Sequence, residues 1–148
     1  MKIFKFDTNR HNFEIACSSR NTRNGFAHHC TIIIDGRDCG VEATCHYLNR
    51  TWERYAYQTV MLKAAREQIA RLIEWEREDF MRDRGYERMT AKRKAEFLNY
   101  LETECDNNSL RTYVCLYELI ENYDLMAPPY SDWYGHRPRA VKLLDFVR

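Results

Sequence analysis

Tyr47–Ala65 reads YLNRTWERYAYQTVMLKAA, and within it the chain changes period. Val41–Tyr47, VEATCHY, comes close to strict alternation of apolar and polar residues, the mark of a half-buried strand. Beyond Thr51 the apolar residues recur every three or four positions, which gives a helix one buried face. Asn49-Arg50-Thr51-Trp52-Glu53 is therefore the hinge between sheet and helix. Asn49 or Thr51 can cap that helix by accepting a bond from its first unpaired backbone donors. Glu53 falls in the first turn, where the helix dipole favours an acid. Trp52, Tyr55 and Tyr57 are large and amphipathic, so at least one should lie under the sheet with its polar atom on a partner. The competing reading of the motif is a partner surface exposing Arg50, Trp52 and Arg54.

Upstream of the hinge the chain reads as strands and turns. Asn12–Ser18 sets Phe13, Ile15 and Cys17 against Glu14, Ala16 and Ser18. Phe26–Ile34 ends in three isoleucines, a run that can be buried on both faces. Phe4–Asp7 is a short first strand or an arm. Ser18–Gly25, SSRNTRNG, is polar, has no apolar anchor and ends in Asn-Gly, so it reads as a protruding hairpin loop. Asp35-Gly36 is the next turn, widened by Arg37 to Gly40. Connections this short make an antiparallel meander. One face of such a sheet can stay wet while helices cover the other.

Downstream the pattern is helical. From Thr51 to about Arg84, Met61, Ala65, Ile69, Leu72, Ile73 and Phe80 form one stripe, and Glu67–Arg71 and Glu78–Arg82 are spaced to pair. Such a helix is roughly 50 Å long and should outrun the sheet. Its charged end, Trp75–Arg84, reads as a solvated overhang. Gly85 is the stop. Thr90 caps a second helix over Ala91–Cys105 with Phe97, Leu98 and Leu101 inward. Asp106–Ser109 is a loop that also supplies a cap, and a third helix runs from Leu110 to about Tyr123. The proline-bearing tail Ala127–Pro138 cannot be helix, and a short final helix starts at Pro138. The whole is α+β and a single domain over residues 1–148. Residues 1–50 form a three- or four-stranded antiparallel sheet packed on the long helix, and residues 51–148 form the helical part.

Composition narrows the function. With 45% hydrophobic and 14% aromatic residues, the chain can bury a core rather than stay disordered. Lys and Arg number 23 against 22 Asp and Glu, so there is no general basic footprint for nucleic acid. The first residues run into charge at once, without a signal peptide, and no apolar run is long enough to span a bilayer. The expectation is a soluble, cytoplasmic protein that does not engage a membrane. In that compartment its six cysteines should be reduced and packed.

No catalytic motif stands out. His28, His29, Cys30, Cys39, Cys45 and His46 lack zinc spacing, and neighbouring strand residues point to opposite faces. No glycine-rich phosphate loop is present, and no metal or cofactor is expected. Two binding signals remain. The first is Arg20, Arg23 and Asn24 on the hairpin, with Arg10 and Arg37 elsewhere in the sheet region. Arginines on a β-ribbon can contact phosphate or enter a groove. Lys92-Arg93-Lys94 at a helix start, where cations oppose the dipole, adds a weaker hint of an acidic partner. The second signal is Tyr130, Trp133, Tyr134, His136 and Arg137 in the tail, residue types that dominate interface hot spots.

The segments Ser18–Phe26 and Asn49–Tyr55, with the core Asn49-Arg50-Thr51-Trp52-Glu53, resemble a motif in small proteins of phages and mobile elements of Gram-positive bacteria. Anti-CRISPR inhibitors come from the same kind of gene neighbourhood. The resemblance covers about the first half of the chain. It implies a non-enzymatic protein that binds and inhibits a defence component, a CRISPR-Cas nuclease foremost, by occluding a functional surface. Arg20, Arg23, Asn24, Arg50, Tyr130, Trp133, Tyr134 and Arg137 are the candidate contacts. The alternative is a nucleic-acid-binding accessory protein that uses the arginine hairpin.

Overall fold

Four strands pair in the order in which they leave the chain. A computed structural model describes residues 1–8, 10–47, 53–124, 131–132 and 140–147. Strands β1 (Lys2–Asp7), β2 (Asn12–Thr22), β3 (Gly25–Ile34) and β4 (Arg37–Tyr47) form one antiparallel sheet in the order β1-β2-β3-β4. Phe4–Asp7 therefore belongs to a paired strand and not to a free arm. Asp35 and Gly36 take φ of 51° and 78° between β3 and β4, as a two-residue hairpin with right-handed strand twist requires. The widening at Arg37–Gly40 is a bulge inside β4: the register shifts between Thr31 and Ile33, and Gly40 takes φ 65°.

The polar stretch Ser18–Gly25 is not a loop. β2 runs to Thr22, pairs there with Gly25, and leaves Arg23-Asn24 as the turn. The strand continues without apolar anchors because hydrogen bonds replace them. The Ser19 hydroxyl lies 2.7 Å from His28 Nδ1 and 2.7 Å from the Tyr57 hydroxyl. Tyr57 is thus the aromatic held under the sheet, only 2% exposed, with Phe4 and His28 edge-on to its ring.

One layer below, Cys17 and Cys30 face each other in register and are joined as a disulfide, with Cα atoms 4.3 Å apart. This corrects the expectation of six reduced cysteines. The register brings the pair together on the core face, where closely spaced antiparallel partners bring Cβ atoms within bridging reach. Cys39, Cys105 and Cys115 are free thiols.

Helix α1 (Glu53–Arg84) crosses the inner face of the sheet. Ala64 and Ala65 are fully buried in it, and small residues there let the backbone come close to the strands. Phe13, Ile15 and Ile32 of the sheet share one continuous core with Val60, Met61 and Ile69 of α1. Every residue of the stripe read from sequence is buried. Among the described residues α1 carries the ion pairs Glu74–Arg77 and Asp79–Arg82, one position tighter than the spacing suggested.

The far end of α1 is no overhang. Helix α2 (Ala91–Thr103), capped by the Thr90 side chain on Arg93 N, packs against it. Phe80 is 2% exposed, with the rings of Phe97 and Tyr100 at 5.3 and 5.4 Å. Glu76 accepts from Tyr100 Oη at 3.1 Å and from Asn107 Nδ2 at 2.9 Å, which ties α1 to α2 and to the linker that follows. Burial and this carboxylate push the Tyr100 hydroxyl up to about 12. Arg93 has a structural use: its guanidinium lies 4.2 Å over the Tyr86 ring and donates to Arg88 O. It does not stand ready for an acidic partner.

Helix α3 (Asn108–Asn122), capped by Asn107 on Leu110 N, returns beside α1 and buries Leu110, Tyr113, Leu116 and Ile120. Tyr123–Asp124 and Ser131–Asp132 pair as a short ribbon, β5–β6. The closing helix is a 3-10 turn, Leu143–Phe146, whose Phe146 meets Tyr117 edge to face at 5.0 Å. Among the described residues no helix is long and apolar enough to cross a membrane.

Candidate functional site

The sheet has one covered face and one open face, and alternation decides which residue goes where. Ser18, Arg20 and Thr22 of β2 and Ala27, His29 and Thr31 of β3 point away from α1. Thr44 and Glu42 of β4 lie beside them. His29 is held in this row, with Nδ1 2.9 Å from Thr44 Oγ1 and Nε2 3.7 Å from Glu42 Oε2. His28, its neighbour, is fully buried on the other face. Among the described residues no three histidine, cysteine or acidic side chains are placed to hold a metal ion.

Ser18, Arg20, Ala27, His29 and Thr44 line a shallow pocket of about 310 Å³ on the open face. Arg23 and Asn24 are exposed at the turn just beyond it. Among the described residues none engages the Arg20 or Arg23 side chain by a hydrogen bond or ion pair. The structure thus brings Arg20, Arg23 and Asn24 to one end of one paired ribbon. Arg50, Tyr130, Trp133, Tyr134 and Arg137 lie outside the described residues, as does Trp52 of the hinge. Arg10 and Arg37 sit at the opposite end of the sheet, by the β1–β2 and β3–β4 connections.

That opposite end holds a feature that sequence reasoning missed. His11 Nδ1 lies 2.8 Å from Asp35 Oδ2, and His11 Nε2 lies 2.9 Å from Thr112 Oγ1. Asp35 also accepts from the Asn12 backbone N–H at 2.9 Å. That N–H and the His11 ring hold the Asp35 carboxyl below its usual value. An ionised Asp35 requires the His11 proton on Nδ1. Carboxylate, imidazole and hydroxyl in a row have the order of a nucleophile with its base and orienter. Thr112, however, is only 7% exposed, and its hydroxyl also reaches Asn108 O at 2.8 Å, one helical turn back. Its lone proton is shared between two acceptors within its own fold. The row is a brace between the β1–β2 corner and α3. Sequence gave no signal for it, since Thr112 lies 101 positions from His11.

The brace carries a pH signature. A carboxyl whose folded pKa is depressed contributes stability above its unfolded value, here 3.8, and that contribution is lost as pH falls through the folded value. Asp35→Asn keeps the left-handed backbone position tolerable. The variant should be less stable than the parent at neutral pH, and the gap should close in acid, below pH 3.8. Denaturant midpoints measured across that range check this; a constant gap down to the most acid pH would remove Asp35 from the brace.

Comparison of the chain with protein-family models, with curated proteins and with solved structures finds no match.

Proposed function

We propose that the chain is a non-enzymatic mobile-element protein that binds and inhibits a bacterial defence component in the host cytoplasm, a CRISPR-Cas nuclease foremost, by occluding a functional surface. The observation that supports this reading is the pair Arg20 and Arg23. Neither guanidinium group pairs with another of the described residues, and both are carried on a ribbon braced by Ser19, Tyr57 and the strand ladder. Long cations held on a rigid support lose little backbone freedom when they dock, so only the ordering of the two side chains offsets their contacts. The neutral overall charge directs them to a local acidic groove rather than to any polyanion.

The test sets two assays side by side. Tagged chain is mixed with purified, guide-loaded nucleases, and co-elution and target cleavage are measured with and without reductant. The same chain is titrated against random duplex in a mobility-shift assay. Co-elution with one nuclease and loss of its cleavage, with no shift of the duplex, supports inhibition by occlusion. A shift of random duplex without nuclease binding would overturn it in favour of a nucleic-acid accessory protein.

A further inference from the structure

Beside the His11 brace, on the side toward α1, lies an open cleft of about 450 Å³. It is within the size range of small-molecule sites. Its floor is a stripe of α1, Gln68–Leu72–Trp75, spaced so that all three fall on one helix face. One wall is the first turns of α3, including Tyr113, and the other is the β3–β4 turn with its bulge at Cys39.

Three features set this cleft apart. Trp75 is 55% exposed, an uncommon state for the largest apolar side chain. Side chains on a helix lean toward its N-terminus, so the indole covers the turn between itself and Gln68. Gln68 Oε1 is buried without a hydrogen-bond partner. The Tyr113 hydroxyl is likewise buried, on a residue only 4% exposed, and no nitrogen or oxygen among the described residues pairs with it. The Cys39 thiol nearby directs its proton to Arg37 O at 3.6 Å and leaves that hydroxyl only a weak sulfur acceptor. Buried polar atoms are nearly always paired, because each unpaired one costs about 1–3 kcal/mol. Here two such atoms line one cleft with a bare aromatic wall.

The chemistry that answers all three is specific. Gln68 Oε1 accepts, so the occupant must offer an N–H. The Tyr113 hydroxyl donates, so the occupant must offer a ring nitrogen or carbonyl. The indole face calls for a planar ring to stack on it, and the buried Leu72 beneath calls for an apolar underside. Charge is already spent: Asp35 is satisfied by Asn12 and His11, and Asp38 accepts from Gly40 N at 2.8 Å. With Arg37 beside both acids, the cleft favours no strongly charged ligand. We propose that this cleft binds an uncharged nucleobase-class ring, stacked on Trp75 with its donor–acceptor edge on Gln68 and Tyr113.

The test is a calorimetric titration of the full chain with adenosine, guanosine, cytidine and uridine, each up to millimolar concentration. At least one should bind saturably with one site per chain. Trp75→Ala should weaken that binding roughly five- to hundredfold, the range seen when a stacking aromatic is removed. Gln68→Leu and Tyr113→Phe, which keep side-chain volume, should each weaken it without lowering the melting temperature. The Arg20→Ala, Arg23→Ala double variant should bind the nucleoside as the parent does, which separates this site from the hairpin. No saturable binding of any of the four would overturn the proposal. So would binding that Trp75→Ala and Gln68→Leu leave unchanged.

Discussion

Phe80→Ala is expected to lower stability by about 3–5 kcal/mol, the range for emptying a buried aromatic site. Phe80 is the residue on which α2 closes. It is 2% exposed, touches Phe97, Tyr100 and Tyr86, and carries the Arg84 guanidinium 3.9 Å over its ring. Its removal leaves those rings without a centre and loosens α2 on this end of α1. For a chain of 148 residues the melting temperature should fall by roughly 10 °C. Glu78→Ala, exposed on the same stretch of α1, should stay within about 0.5 kcal/mol of the parent. Chemical denaturation of both variants decides the matter. If Phe80→Ala costs less than about 1 kcal/mol, α2 is not packed on this end of α1.

Arg20→Ala with Arg23→Ala is expected to do the opposite: large loss of binding, little loss of fold. Neither arginine has a partner to lose among the described residues, so stability should stay within about 0.5 kcal/mol. Against the protein target, a desolvated charged contact is worth about 2–5 kcal/mol, or roughly thirtyfold to several-thousandfold in Kd. The loss should appear in the dissociation rate. A loss confined to association and erased by salt would mean long-range steering only. Equal binding by parent and double variant at physiological salt would remove the hairpin from the interface.

What could be read from the residues followed from period and punctuation. The change of period at Tyr47–Ala65 located the turn from sheet to helix, and the α+β class followed from it. The apolar stripe of α1, the Thr90 cap and the stop at Gly85, which takes φ 67°, are local devices and were legible. The polar run Ser18–Gly25 was misread because its anchors are distant. Ser19 is held by Tyr57, 38 positions away, and no local pattern carries that. The overhang was misread for a related reason: Phe80 looked like one apolar residue among charges, and only the rings of α2 give it a core. The candidate site divides the same way. Arg20, Arg23 and Asn24 are neighbours in sequence and remain so in space. The Asp35–His11–Thr112 brace, and the cleft that Gln68 and Tyr113 both line, are made of elements that only tertiary packing brings together.

The up-and-down strand order has a consequence for synthesis. Every strand pair joins segments that follow one another directly, so β1 to β4 can zip together as soon as they emerge from the ribosome. Their inner face, with Phe13, Ile15 and Ile32, then has nothing to rest on until α1 has been made. That helix is 32 residues long, and at about 5–20 residues per second its translation takes roughly 2–6 s. For that interval each nascent chain displays a finished ribbon with a greasy underside. A ribosome that pauses after the sheet has emerged and before α1 has followed it would lengthen the exposure.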